Sequence, residues 1–294
     1  MRNAALSIGP ICRAVCCLLC CVVFAVECPC LESASAADSA TDSKSAATKF
    51  AVGFAKRDIT PPPGLAMWGY GDRGDAPAVG ALDPLYATAI VIQAGTEKLA
   101  IVGLDLGRGP TRSMMDTIRR VVADEAKINY VLVCGSHTHH GPMIEITDRE
   151  GLPAKYFPSV DYSSKLPERI VDAILEADKH ARPARMGIVS ANVQLNVNRQ
   201  AKRLPKPTEP MLAVMRFDDE AGRPIALLVN YAAHPTITNN KLMKYSADYP
   251  GFLKRKVEAE LHTNCVFIQG AAGDMSVSDK SRGAQGYGEM LADA

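Results

Sequence analysis

The sequence predicts an α/β fold in which mixed β-sheets form packed layers with flanking helices, an arrangement of the α-β-β-α type. Short apolar runs rich in Val, Ile and Leu occur in pairs joined by turn-forming residues, which indicates β-hairpins. Three longer segments with apolar residues at helical spacing lie between those pairs. Because hairpins alternate with strand–helix units, we expect both antiparallel and parallel strand pairs.

The first half of the folded region is predicted to contain a strand, a hairpin, a helix and a further strand. The first strand begins near Phe50 and is closed by prolines. Residues 95–97 join the two β-rich runs of 85–106 as a hairpin. Apolar side chains at helical spacing predict a helix over 111–127, and the run at 129–135 follows it as a strand.

The second half is predicted to repeat this mixture of hairpins and helices. Its elements are a helix over 162–180, extended structure over 184–197, a hairpin of 211–219 and 224–234, a helix over 250–261, and a strand over 264–274 that runs into a glycine-rich loop. No internal repeat is visible in the sequence itself.

The N-terminal region has the features of an export signal. Arginines flank an apolar run over 11–26, and small residues at 34–36 offer a cleavage site, so we expect a signal peptide over 1–36 and an exported protein. Residues 37–49 are small and polar, which predicts a disordered linker before a domain over 50–294. An uncleaved anchor helix and lipidation of Cys28 or Cys30 are the alternatives.

Composition limits the class of partner. The chain has 294 residues and a formal net charge of +1, so charge does not indicate binding to nucleic acid. Seven of the nine cysteines lie in the first thirty residues, which argues against a disulfide framework in the folded part. Cys134 and Cys265 lie in apolar runs and are expected to be buried hydrophobic side chains.

A histidine-rich segment follows the strand that ends near residue 135. In GSHTHHGP, strand alternation would place His137 and His139 on one face, within reach of one metal ion or one substrate. His234 similarly ends an apolar strand, in the sequence NYAAHPT. Histidines that serve only as turn or cap residues are the alternative. Catalytic zinc sites need three protein ligands, so further donors are required.

Two further polar positions are candidates. The glycine-rich loop over 269–276 lets backbone approach a substrate closely, and it places Ser276 at the mouth of the predicted site. A plain surface loop is the alternative for this segment. Asp105 ends an apolar strand and is expected either to orient a ligand histidine or simply to terminate the strand.

The chain resembles the neutral, non-lysosomal ceramidase family in the order and spacing of six sequence blocks. They are AVGFAKRDITPP, MWGYGDR, GSHTHHGP, NVNRQ, NYAAHPT and QGAAGDMS. Members of that family are exported, zinc-dependent amidases that cleave N-acylsphingosine. The resemblance therefore implies a Zn²⁺-dependent hydrolase of an N-acyl lipid such as ceramide, and it leaves peripheral contact with a membrane open.

The resemblance also implies roles for individual residues. His137 and His234 match the two zinc histidines, and His139 matches the catalytic histidine beside the metal. Ser276 matches the serine that acts at the amide carbonyl, and Arg199 matches an arginine of the active site. The remaining zinc ligands of the family, a glutamate and a tyrosine, lie further along than residue 294, so we expect a C-terminally incomplete catalytic domain.

Departures from the family pattern keep other functions open. His140, Met275 and Val277 replace the residues that are usual at those positions. A binding protein that kept the scaffold without hydrolysis is one alternative, and a hydrolase of another amide or ester is a second. A phosphate or sulfate ester hydrolase that uses the same histidines with Asp274 is a third. The sequence does not indicate an oligomeric state.

Overall fold

The computed structural model describes residues 50–294, which form ten strands, four α-helices and two short 3-10 turns. The predicted signal peptide, linker and lipidated cysteines lie outside these residues and stay predictions. None of the helices within 50–294 has the length and apolar character needed to cross a bilayer.

The elements follow one another in a regular alternation. The strands are β1 (Phe50–Asp58), β2 (Tyr86–Ala94), β3 (Glu97–Leu104), β4 (Tyr130–Gly135), β5 (Arg182–Asn192), β6 (Asn196–Asn198), β7 (Met211–Asp219), β8 (Pro224–Tyr231), β9 (Cys265–Gln269) and β10 (Met275–Val277). The helices are α1 (Arg112–Ala126), α2 (Phe157–Lys179), α3 (Asp248–Leu261) and α4 (Gly283–Asp293).

Eight strands form one mixed sheet in the order β4-β3-β2-β1-β5-β7-β8-β9. The pairs β3–β4 and β8–β9 are parallel, and the other pairs are antiparallel. The remaining strands, β6 and β10, form a small antiparallel sheet. The predicted α/β class with mixed strand directions is confirmed.

The strand order has an internal symmetry that the sequence did not reveal. On one side of the β1–β5 pair, the chain runs through β1, β2, β3, α1 and β4; on the other, it runs through β5, β7, β8, α3 and β9. Each half thus consists of a strand, a hairpin, a helix and a parallel strand. The two parallel pairs occupy equivalent positions at opposite ends of the sheet.

An inner apolar core shows that the sheet curls until its halves face each other. Buried side chains of β1, β2, β7, β8 and β9 form a single cluster. In a flat sheet β2 and β9 would be five strand spacings, or about 24 Å, apart. Instead, a Cβ on Gly103 of β3 would lie 2.5 Å from the Phe267 carbonyl oxygen of β9. The two β layers therefore come from one continuous sheet.

Each β layer is covered by its own pair of helices. The first outer core joins α1 and α2 to β2 and β3, and it includes Ile118 and Ile170. The second outer core joins α3 and α4 to β8 and β9, and it includes Leu253 and Tyr287. Together with the inner core, these clusters give the expected α-β-β-α layering.

Some predicted element boundaries were wrong. Helix α2 begins five residues before the predicted start, because Val160 and Ser163 continue its buried face. Helix α4 was not predicted, since its sequence contains three glycines, which have low helix propensity. Its buried Tyr287 and Leu291 show that packing on α3 supplies the missing stability. The short strand β10 was also missed, because it depends on pairing with the distant β6.

Truncation of a side chain in the inner core should weaken the whole domain. Phe217 is fully buried there, so Phe217→Ala is expected to lower the free energy of unfolding by about 3–5 kcal/mol. The measurement is urea denaturation of the purified chain. Tyr130→Ala, on the exposed edge of β4, is the control and should cost well under half as much. A cost below about 1 kcal/mol for Phe217→Ala would contradict the packing of the two halves.

Candidate functional site

Three histidine side chains converge where the two halves of the sheet meet. His137 and His139 follow β4, and His234 follows β8. Their ring centroids are 4.5–5.4 Å apart, and their candidate ligand atoms all lie within 4.8 Å of one another. Within residues 50–294, these histidines are the group of metal-ligating side chains that is close enough to share one ion.

The histidines converge through a turn rather than by strand alternation. Strand β4 ends at Gly135, and His137 has a φ of 69°, in the left-handed region. The expectation that His137 and His139 share a strand face was therefore wrong, although their rings do meet. The Thr138 hydroxyl donates to the Ser246 carbonyl at 2.7 Å, which holds the turn from the inside.

His234 is held against the small sheet. Its backbone N–H donates to the Met275 carbonyl at 3.0 Å, and His234 forms a parallel bridge with Ser276. Ser276 is half-buried in β10, between the buried side chains of Met275 and Val277. The backbone therefore places the predicted nucleophile directly beside one of the two predicted zinc histidines.

Backbone carbonyls fix the tautomers of two of the histidines. Nδ1 of His137 lies 2.9 Å from the Gly107 carbonyl oxygen, and Nδ1 of His234 lies 2.9 Å from that of Ala272. Because a carbonyl oxygen only accepts hydrogen bonds, both Nδ1 atoms carry the proton. Nε2 of each ring is left with a free lone pair, which is the form in which histidine ligates a metal.

His139 differs from the other two rings in this respect. Its Nδ1 is buried and has no hydrogen-bond partner within the described residues. Its Nε2 lies 3.2 Å from Nε2 of His234. Two nitrogens that each bind a tetrahedral zinc at 2.0–2.1 Å would be about 3.4 Å apart. His139 is thus within reach of the same ion, but its tautomer is not fixed.

Aromatic side chains that were not assigned a role from sequence form a wall of the cluster. The Trp68 ring contacts His137 and His139 edge-on, with centroids at 4.8 and 5.2 Å, and the Tyr70 ring lies 4.8 Å from His139. Gly69 between them has a φ of 109°, and a Cβ there would lie 2.4 Å from the His139 ring. The MWGYGDR block was the signal, but sequence alone gave it no function.

Arg73 ties this aromatic wall to the histidine turn. Its Nη2 donates at 2.6 Å to the carbonyl oxygens of both Trp68 and His139. The guanidinium also lies over the Tyr70 ring, 5.1 Å from its centroid. A single buried cation therefore fixes two loops whose side chains face each other across the site.

Burial keeps the histidine cluster neutral. Desolvation lowers the pKa of His137 and His234, and it lowers the pKa of His139 to about 3, with neighbouring histidines adding to the effect. Arg199 contributes to the lowered pKa of His137 and of His234. Neutral imidazole is the form that binds metal, so all three rings are ready to ligate near pH 7.

Arg199 is located on the rim of the cluster. Its Nη2 donates to the Gly273 carbonyl at 2.8 Å and lies 3.3 Å from Nδ1 of His234. The Arg199 backbone N–H also donates to the Asp274 carbonyl at 2.8 Å. The Asp274 carboxylate accepts a hydrogen bond from the Asn198 side chain at 2.7 Å. The guanidinium is thus a fixed positive charge beside the three rings.

Two polar residues singled out in the sequence take structural positions. The buried ring of His140 lies outside the cluster, with its nitrogens 3.1 and 3.2 Å from the carbonyl oxygens of Lys244 and Thr238. Asp105 forms a buried ion pair with Lys254, with Nζ 2.6 and 2.8 Å from the two carboxylate oxygens. None of its hydrogen bonds in the described region reaches a histidine, so the orienting role considered for Asp105 is wrong.

Comparison with protein families gives one match, to the family described as neutral/alkaline non-lysosomal ceramidase, N-terminal. The match covers residues 50–285, which is most of the chain. The matched region contains every residue of the site described above. A search of curated proteins finds no match to the chain.

Solved structures share the fold of this chain at low sequence identity. One is a ceramidase complexed with C2, with a TM-score of 0.72 and 21% identity, covering 84% of this chain and 43% of that one. Another is the neutral ceramidase from Pseudomonas aeruginosa, with a TM-score of 0.70 and 20% identity, covering 84% and 44%. The chain therefore spans less than half the length of either structure.

Acidification should destabilise the metal-free domain through the histidine cluster. The folded-state pKa of His139 is about 3, whereas an unfolded histidine titrates near 6.5. Between these values the unfolded chain binds more protons, so the free energy of unfolding should fall as pH drops below about 6.5. The measurement is urea denaturation between pH 7 and pH 5 with a chelator present.

A matched pair of variants isolates the contribution of the buried ring. His139→Gln should show a shallower dependence of stability on pH than the parent chain. His180→Gln, at an exposed histidine, should keep the parent slope. Equal slopes for the parent and His139→Gln would contradict the lowered pKa of His139.

Proposed function

The chain belongs to the neutral/alkaline non-lysosomal ceramidase family, and we propose that it hydrolyses the amide bond of an N-acyl lipid such as ceramide. The reaction adds water across that bond and gives a fatty acid and an amine. One observation carries the proposal: His137, His139 and His234 share one centre, and carbonyl hydrogen bonds leave Nε2 of two of them unprotonated. We also propose that the protein is exported.

The donor set fits a zinc ion. His137 and His234 would hold it through Nε2, because each uses its Nδ1 proton on a backbone carbonyl, as metal-binding histidines normally do. The imidazoles are neutral near pH 7, and nitrogen is a preferred zinc donor. When bound, zinc supplies a Lewis acid that polarises the amide carbonyl.

We assign the nucleophile to Ser276 and the proton transfer to His139. The Ser276 backbone is bridged to that of His234, so its hydroxyl belongs to the same rim as the histidines. His139 is suited to accept the Ser276 proton and pass it to the leaving amine, because its tautomer is not fixed by a hydrogen bond at Nδ1. Water then releases the fatty acid from the serine.

Arg199 supplies the positive charge that this chemistry needs. Negative charge develops on the carbonyl oxygen when the serine attacks, and a fixed cation at that point lowers the barrier. The Arg199 guanidinium is held in place by the Gly273 carbonyl and by its own backbone contact to Asp274. Trp68 and Tyr70 cover the histidines and limit access of bulk water, which strengthens these electrostatic effects.

Removal of either predicted zinc ligand should abolish metal binding. We expect His137→Ala and His234→Ala each to lower zinc per chain by at least about tenfold, while circular dichroism shows a retained fold. Elemental analysis of the purified chain makes the measurement. His180→Ala removes an exposed histidine elsewhere and should keep the parent zinc content. Unchanged zinc in both ligand variants would refute the metal assignment.

The nucleophile can be separated from the metal site. Ser276→Ala is expected to reduce turnover of an N-acyl lipid by at least about 1,000-fold while zinc content stays at the parent value. Ser278→Ala, two residues further along and exposed, is the matched control and should retain turnover. A fully active Ser276→Ala enzyme would remove the nucleophile role from this serine. A zinc-loaded parent without turnover would instead favour a binding protein.

A further inference from the structure

A strongly basic loop lies beside the histidine cluster. Residues 199–206, here called the basic loop, have the sequence RQAKRLPK, with four basic and no acidic side chains. Residues 202–206 are all exposed, and Leu204 is 84% exposed, the largest value among the exposed large hydrophobic side chains of the described region. A leucine left in water between charged residues gains nothing from folding, so this tip requires another explanation.

The basic loop has a defined shape because both of its ends are tied to Asn198. The Asn198 side-chain oxygen accepts hydrogen bonds from the backbone N–H groups of Gln200 and Ala201, at 2.9 and 2.7 Å. The Asn198 carbonyl oxygen accepts one from Nζ of Lys206 at 3.3 Å. Asn198 itself is buried. This anchoring turns Lys202, Arg203 and Leu204 outward.

The charges at the tip of the loop are not neutralised by the protein. Among residues 50–294, neither Lys202 nor Arg203 forms an ion pair. The nearby carboxylates are already engaged, since Asp274 accepts from Asn198 and Glu209 accepts from the Met211 backbone. The chain as a whole carries a net charge of only +1, so this local excess is a property of the loop.

The loop and the site share one rim. Arg199, the first residue of the loop, contacts the Gly273 carbonyl and approaches His234. Any surface that the tip touches is therefore brought close to the histidine cluster. Two cations next to an exposed leucine match the chemistry of an anionic bilayer surface, where phosphates face the water and acyl chains lie just beneath.

We propose that the basic loop docks the protein on an anionic lipid bilayer, with Lys202 and Arg203 on lipid phosphates and Leu204 inserted among the acyl chains. The use of this contact rests on the proposed function, because docking would deliver a membrane lipid to the histidines. The contact itself requires only the loop. It is salt-sensitive, because exposed charges are screened within a Debye length.

The test measures vesicle binding and turnover separately. The purified full chain is sedimented with phosphatidylglycerol-containing vesicles and with pure phosphatidylcholine vesicles at low and high salt. We expect binding to the anionic vesicles alone, weakened by salt. Lys202→Gln combined with Arg203→Gln should weaken that binding by about 25-fold, since each basic residue near such a surface contributes about fivefold. Leu204→Ser should weaken it as well.

A matched control and a second readout make the outcomes distinct. Arg119→Gln combined with Arg120→Gln removes two exposed charges from α1 and should bind the anionic vesicles like the parent chain. Turnover of a water-soluble short-chain N-acyl amine should be unchanged in the loop variants. Equal binding by the parent and the loop variants, or no preference for anionic vesicles, would overturn the docking proposal. Vesicle binding without any turnover would leave docking intact and count against the hydrolase proposal.

Discussion

The packing of the two halves of one sheet against each other is the interaction on which the rest of the structure depends. Apolar side chains of β1 and β2 meet those of β7, β8 and β9 in the inner core. Closing the sheet in this way brings together two chain segments that are almost a hundred residues apart in sequence. The entropy cost of that closure is offset by burial of apolar surface on both sides of each β layer.

The internal symmetry of the fold explains why a site forms at this place. In the first half His137 follows β4 and bonds to a carbonyl that follows β3; in the second, His234 follows β8 and bonds to one that follows β9. Each parallel strand pair thus supplies one histidine and one carbonyl acceptor. The two halves contribute equivalent ligands to one centre, and the second turn of the first half adds His139.

The surroundings of the histidines combine burial with positive charge. Trp68 and Tyr70 cover the rings from one side, while Arg73 and Arg199 place cations beside them. Burial and these cations act in the same direction and hold the imidazoles neutral. A cluster of neutral donors next to a fixed cation is suited to a divalent metal and to an oxyanion, which is the combination that amide hydrolysis requires.

The sequence by itself determined the class of fold and most of the elements, because hydrophobic periodicity depends on many residues at once. It also singled out the three histidines, since they follow apolar strand runs. Only the tertiary structure decided that they meet, that His137 turns through a left-handed backbone rather than a strand, and that Asp105 pairs with Lys254 instead. It alone gave the carbonyl contacts that fix two tautomers. These features depend on contacts between residues far apart in the chain, and no local pattern in a single sequence encodes such contacts.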